Sequence, residues 1–327
     1  MAAERTPMRM VFGEHLARLG DADSRIVVLD ADTSTSTQTA IFAARHPERF
    51  INCGIAEANM VSVAAGIATT GLRPVVSAFA VLLALRAGDQ IRAQVAYTGL
   101  PVVLVGGYAG LSDFADGGSH QSIEDLATFL AMPNLTVVCP GDATETELAL
   151  EAALRSDGPV FLRLSRAEVG RLDLPGQFEV GRAVIRRQGG DVAILATGQM
   201  LEPAMHAAVM LAAEGIEARL IDLHTVKPLD EQAILDAACE CGCLITCEEH
   251  NVIGGVGSRV ASLLAARQPT PLRMVGISDE YGQSGAYDAL REHYGLTAHR
   301  VVATARELLA RVNTEQGGVA LRAGTIQ

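Results

Sequence analysis

The sequence predicts an α/β protein of two consecutive α/β domains, the first on a parallel sheet and the second on a mostly parallel one. Three observations carry this expectation. Short β-branched runs alternate with Ala/Leu-rich amphipathic stretches through most of the chain, the pattern of repeated βαβ units. The 327 residues suffice for about two domains of ordinary size. The alternation pauses once, at 171–190, where Pro and Gly mix with two short extended pieces; this stretch reads as a linker and a hairpin, dividing the chain into 1–174 and 175–327.

In chain order, a helix over 6–19 leads to the first strand, RIVVLD at 25–30. Gly54 opens a helix over 57–70 built from small apolar residues, followed by the strand RPVVSAF at 73–79 and a helical stretch over 80–97. The strand LPVVLVGG at 100–107 runs into a Gly-rich loop, a helix at 122–131 and the strand LTVVCP at 135–140. Asp142, with Glu145 three residues on, resembles a capping box before the helix 143–155, and PVFLRLS at 159–165 is the last strand of this half. The second half repeats the alternation, with strands at 191–198, 217–224, 243–250 and 272–278 and helices at 200–214, 230–240, 255–266 and 303–313, ending in a tail.

Composition narrows the function classes. There are 26 Lys+Arg against 38 Asp+Glu, a net charge of −12, and no basic run, which disfavours nucleic acid or anionic lipid as partners. The start, MAAERTPMRM, lacks the apolar core of a secretory signal, and no apolar stretch approaches the ~20 residues that cross a bilayer. Six cysteines are too sparse for a disulfide scaffold and fit a reducing cytoplasm. Four of them crowd together as Cys239, Cys241, Cys243 and Cys247. On an extended strand Cys241, Cys243 and Cys247 could share a face, so a metal reading stands beside that of small buried hydrophobes.

Four places could carry chemistry. Glu57 sits in the first turn of a helix of small apolar residues; it is either a buried acid that needs a partner or a residue that complements the helix dipole. The loop over 106–126 leaves a strand at the carboxyl edge of the sheet and gathers Asp113, Asp116, Ser119 and His120, without Walker or dinucleotide spacing. It reads as a polar small-molecule site or as a turn with a capping Ser. Arg166 closes another strand at that edge, as an anion-binding fork or as a salt-bridge partner. Glu248, Glu249 and His250 lack an accompanying nucleophile or ligand spacing and read as structural.

Seven blocks in order then acquire a common meaning: RIVVLDADTSTST, HPERFINCGIAEANMVSVAAGIA, SAFAVLLALRAGDQIR, DGGSHQSIEDLATFLAMPNLTVVCPGDATE, FLRLSR, HTVKPLD and EEHNVIGGVGS. Together, from about residue 8 to about residue 312, they resemble the C-terminal half of transketolase, most closely the C-terminal subunit of split bacterial transketolases. The resemblance implies a thiamine diphosphate pyrimidine-binding domain followed by a transketolase C-terminal domain. It implies that Glu57 contacts the N1′ atom of the cofactor's aminopyrimidine and activates it, that Phe79 stacks on that ring, and that Leu82, Leu85 and Asp32 complete the cofactor's surroundings. It further implies that Asp116 and His120, from the family's DGxxH segment, meet the donor's hydroxyls, with His120 catalytic, and that Ser36 and Arg166 hold a substrate phosphate.

Two departures sit in the donor pocket: Tyr108 stands where the family usually has His, and SDFA at 112–115 replaces a Gly-Glu pair. A modified or non-phosphorylated ketose, or another two-carbon donor, therefore stays open beside a sugar phosphate. The chain has no Gly-Asp-Gly segment of the kind that holds the diphosphate through Mg2+ or Ca2+. The resemblance thus implies an N-terminal partner subunit carrying the pyrophosphate-binding domain and its metal, and a 2+2 heterotetramer. The rival readings are the β subunit of a 2-oxoacid dehydrogenase and a non-catalytic partner of a thiamine enzyme.

Overall fold

The β-branched runs become strands wherever they can be covered on both faces. The computed structural model describes residues 5–172 and 177–323, with side chains through 314. Ile26–Asp30, Arg73–Phe79, Val103–Gly107, Thr136–Val138 and Val160–Arg163 form the centre of a seven-stranded sheet and are almost wholly buried, as continuous apolar runs require. Two short edge strands, Phe50–Asn52 and Thr225–Lys227, complete it. The order across the sheet is Thr225–Lys227, Thr136–Val138, Val160–Arg163, Val103–Gly107, Arg73–Phe79, Ile26–Asp30, Phe50–Asn52, all parallel except the first. Thr225–Lys227 comes from the second half of the chain, and Lys227 Nζ donates to the Leu130 carbonyl at 3.0 Å.

The second sheet has the order Leu272–Ile277, Leu244–Asn251, Val192–Ala196, Ala218–Asp222, Val184–Arg187, with only the last strand antiparallel. Here the expected hairpin within 171–190 does not form among the described residues. Val184–Arg187 instead extends the sheet beside Ala218–Asp222, which covers Val184, while Glu168–Val169 pairs with Thr6–Pro7. Part of the stretch, 173–176, lies outside the described residues.

Helices cover both sheets. Met8–Ala22 packs on Ala143–Arg155, and Glu57–Ala68 packs on the strand Arg73–Phe79. One apolar core runs through both halves, joining Leu29, Val76, Leu104 and Phe161 to Leu195, Ile221 and Leu244. The Asp142 cap forms as expected, Oδ1 accepting the Glu145 N–H at 2.7 Å. Other expectations change. The stretch 80–97 is no continuous α-helix: Leu82–Arg86 and Ile91–Ala96 have wide π-type turns, separated by Gly88–Gln90, where Gly88 weakens the helix. The supposed tail is helical: Ala298–Ala323 continues past Val312 and across Gly317 and Gly318 despite their low helix propensity. The shared cysteine face also fails. Cys241 ends the helix Glu231–Cys241 and Gly242 (φ 71°) terminates it, so that only Cys247 lies in the strand Leu244–Asn251.

Arg163 ties these layers together. Its guanidinium donates to Asp125 Oδ2 at 2.8 Å and Oδ1 at 3.1 Å, and to the carbonyls of Ser122 (3.0 Å) and Glu249 (3.1 Å). Both members of the ion pair are buried. Removing one would strand a desolvated charge, so Arg163→Met should lower unfolding free energy by about 3–5 kcal/mol in urea titrations. A loss below ~1 kcal/mol would contradict this assignment.

Candidate active site

Parallel strands deliver their carboxyl ends to one edge of the sheet, and the strand order reverses beside Ile26–Asp30, where the chain steps outward to Phe50–Asn52 and then inward to Arg73–Phe79. Such a reversal opens a crevice. Asp30, fully buried, organises its rim: its carboxylate accepts the Thr33 N–H at 2.5 Å and the hydroxyls of Thr37 and Thr39, each at 2.9 Å. Burial raises its carboxyl pKa against these bonds. The loop so fixed carries Asp32 and Ser36. Asp32 is exposed, at φ 65°, and accepts from Asn52 Nδ2 at 3.0 Å; Asn52 Oδ1 in turn accepts the Gly54 N–H at 2.9 Å, just ahead of Glu57.

Glu57 begins its helix with a side chain only 1% exposed. Its partner is Arg86, whose Nη1 lies 2.9 Å from Oε1 and 2.8 Å from Oε2. Arg86 belongs to the π-turn segment Leu82–Arg86, which packs on this helix. Leu85 is 58% exposed and Ile55 is 75% exposed, so aliphatic surface flanks a buried carboxylate at the mouth of the crevice.

The second group of residues centres on Tyr108. Its backbone is left-handed (φ 60°), unusual for a bulky residue, and its side chain is buried at the end of Val103–Gly107. The Tyr108 ring stacks on Phe79 at 4.4 Å, and Phe79 meets the His120 ring edge-on at 6.0 Å. The Tyr108 hydroxyl accepts from Arg9 Nη1 at 2.5 Å and donates to the Ser36 carbonyl at 3.3 Å. The Arg166 guanidinium lies 5.0 Å from the ring centres of both Tyr108 and Phe114, and bonds Asp113 Oδ1 at 3.2 Å. Ser36 joins this group through its carbonyl, which also accepts from Arg9 at 3.0 Å. Asp116 is exposed and acts on the cluster through its neighbour Asp113.

The loop bearing these groups is closed at its base by paired backbone bonds between Gly110 and Ser122, at 2.9 and 3.0 Å. The second half of the chain clamps it. Glu249 Oε1 accepts the Leu111 N–H at 2.7 Å and Oε2 accepts the Tyr287 hydroxyl at 2.7 Å. Gly110 adopts φ +62°, and a Cβ there would stand 2.6 Å from Glu249 Oε1. Glu248 caps the helix Val256–Arg267 by accepting the N–H groups of Val256 (2.7 Å) and Gly257 (2.8 Å). His250 Nε2 accepts the Leu126 N–H at 3.1 Å, which leaves the ring proton on Nδ1 to bond the Asn251 carbonyl at 2.7 Å. Burial lowers this imidazole's pKa to about 4, so it stays neutral.

The structure therefore links Phe79, Tyr108, His120, Ser36 and Arg166 by direct contacts, with Asp116 beside them, and holds Glu57 with Leu82 and Leu85 on the adjoining segment. Asp32 stands apart on the rim. Arg9, Arg86, Phe114 and Glu249 enter the site without having been singled out for it in the sequence. Their partners lie between 27 and 138 residues away, except that Phe114 falls within the loop already identified.

Among the acids, Asp113 has its pKa raised to about 6, chiefly by burial and then by repulsion from Asp116, against the pull of Arg166. The raised value means that folding favours its neutral form, so its contribution to stability is present below the ordinary 3.8 and falls as pH rises through about 6. Carboxyl-carbon NMR titration should show an inflection near pH 6 that is missing in Asp113→Asn; an inflection near 4 would contradict this.

Comparison with known proteins gives a consistent identification. The profile of the transketolase pyrimidine-binding domain matches residues 4–171, and that of the transketolase C-terminal domain matches residues 181–301. A 6-deoxy-6-sulfo-D-fructose transketolase subunit from Clostridium sp. (strain MSTE9) is 41% identical, the alignment covering 94% of this chain and 95% of that one. A 1-deoxy-D-xylulose-5-phosphate synthase from Desulforudis audaxviator (strain MP104C) is 39% identical, over 92% of this chain but 48% of its own length. A solved split-gene transketolase, described as an inactive β4 tetramer, is 42% identical with a TM-score of 0.83, covering 94% of this chain and 99% of that one. The chain belongs to the thiamine-dependent transketolase family and carries that family's pyrimidine-binding and C-terminal domains.

Proposed function

We propose that the chain is the C-terminal subunit of a two-subunit, thiamine diphosphate-dependent transketolase that moves a two-carbon ketol unit from an anionic ketose to an aldose. The observation that carries this reading is Glu57, a carboxylate 1% exposed at a helix start and flanked by exposed aliphatic side chains. Those residues fit an aminopyrimidine ring, which needs an acid at a ring nitrogen and apolar contact on its faces. Glu57, Phe79, Leu82 and Leu85 would hold the ring, with Asp32 on the rim beside it. Thiamine diphosphate supplies the electron sink that carbon–carbon cleavage beside a carbonyl requires.

The chain's own residues have distinct tasks. Glu57 holds a proton toward the ring nitrogen, exchanging its bond to Arg86 for that contact. Phe79, one face stacked on Tyr108, presents the other to the cofactor. Asp116 and His120 bind the donor's hydroxyls, and His120 moves a proton there. Tyr108 takes no part in proton transfer, since its hydroxyl is held between Arg9 and the Ser36 carbonyl. Arg9, Arg166 and Ser36 face the anionic end of the substrate.

The domains divide at about 174/175, and the cofactor's diphosphate, with Mg2+ or Ca2+, is held by an N-terminal subunit in a 2+2 heterotetramer. The reading is supported by the Clostridium relative, itself described as a subunit, and by the solved relative, described as inactive in its β4 form. Six free cysteines accord with a cytoplasmic setting. In the complex reconstituted with its partner, Glu57→Ala should lower ketol transfer by about 10²–10⁴-fold, the usual worth of a positioned acid or base. Near wild-type transfer by that variant would make the chain a scaffold, and full activity of the isolated chain would remove the need for a partner.

A further inference from the structure

A cavity of about 820 Å3 opens where the first helix, the strand end at Arg166 and the second domain meet, a volume within the range of small-molecule sites. Arg9 and Arg166 line it from the first domain, and Tyr287 and Arg291 from the second. Its wall is continuous with the Tyr108 cluster. Tyr108 lies 5.0 Å from Arg166, which lies 5.0 Å from Phe114; the Phe114 and Tyr287 rings are 6.1 Å apart, and the Arg291 guanidinium lies 5.6 Å over Tyr287. Cations and aromatic faces thus alternate from the donor pocket into the second domain.

Arg291 is placed for recognition. Its seat is rigid, because the Tyr287 hydroxyl is bonded to Glu249, which also holds Leu111. Among the described residues no carboxylate lies within ion-pair distance of Arg291, and Glu202 on the same wall is already bound by two nitrogens of Arg5, at 2.7 and 3.0 Å. Asp288 and Glu292, which also line the cavity, offer acceptors for hydroxyl groups. The cavity therefore suits an anion that carries hydroxyls better than a bare one.

We propose that Arg291 is a specificity-determining residue, with which the second domain grips the terminal tetrahedral oxyanion of a sugar phosphate or sugar sulfonate in the cavity that Arg9 and Arg166 also line. This rests on the transketolase reading above. The guanidinium fork matches both oxyanions, and its pre-set position limits the ordering cost of binding.

The test uses the reconstituted complex with fructose 6-phosphate, its 6-sulfonate counterpart and uncharged fructose as donors. Arg291→Ala should reduce the preference for each anionic donor over fructose, as a ratio of kcat/KM, by about tenfold, the worth of one charge-assisted hydrogen bond. Arg291→Lys, which keeps the charge but loses the fork, should recover part of it. Loss with only one of the two anions narrows the class to that anion; an unchanged preference for both overturns the proposal. Calorimetric titration of fructose 6-phosphate and of the sulfonate into the wild-type and Arg291→Ala complexes decides the matter without turnover. Binding weakened about tenfold supports the assignment, and equal affinities contradict it. A wild-type complex that transfers no ketol unit from any donor defeats the functional reading instead, and the titration still reports on Arg291.

Discussion

A buried guanidinium governs how this molecule is put together. Arg163 leaves a central strand of the first sheet, neutralises Asp125 at the start of a helix, and bonds the carbonyls of Ser122 and Glu249. Those three segments are the base of the 106–126 loop, the helix that follows it, and an inner strand of the second sheet, Leu244–Asn251, that clamps the loop. A desolvated charge tolerates little displacement, because each lost bond leaves a polar group with no water to replace it. The site's geometry is therefore set by the junction of two domains, rather than by the loop itself.

From that junction the chemistry follows outward. The loop returns at Gly110 and Ser122, and between them it presents Asp113, Asp116 and His120 beside the stacked rings of Phe79 and Tyr108. The opposite rim is set by Asp30, which spends its carboxylate on three threonines and so fixes the turn bearing Asp32 and Ser36. Glu57 occupies the remaining side. It is buried beneath exposed aliphatic side chains, and Arg86 neutralises it.

The long buried strands are visible in the sequence because short, nearly continuous apolar runs rich in Val and Ile, bounded by turn residues, leave little else for them to be. Phe50–Asn52 and Thr225–Lys227 were not visible, since three residues show no period and both are created by the strand they pair with. Glu57, the loop over 106–126 and Arg166 could be singled out from residue type and position, and resemblance to the transketolase family supplied the roles expected of them. Arg9 and Arg86 gave no such signal: an arginine in a helix looks the same whether it faces water or reaches Tyr108, 99 residues on. Glu249 reads as structural in the sequence, and it is, yet what it braces is the 106–126 loop. The hairpin does not form among the described residues because local extended propensity does not choose a partner: Val184–Arg187 pairs with Ala218–Asp222, where Val184 is buried.

The account turns on whether Glu57 serves a bound ring or only Arg86. A crystal structure of the assembled complex with thiamine diphosphate bears on this most directly. The account predicts a Glu57 carboxylate oxygen within hydrogen-bonding reach of the pyrimidine nitrogen, about 2.6–3.0 Å, with Arg86 moved aside. A pyrimidine ring bound elsewhere, with the Glu57–Arg86 pair intact, would contradict it.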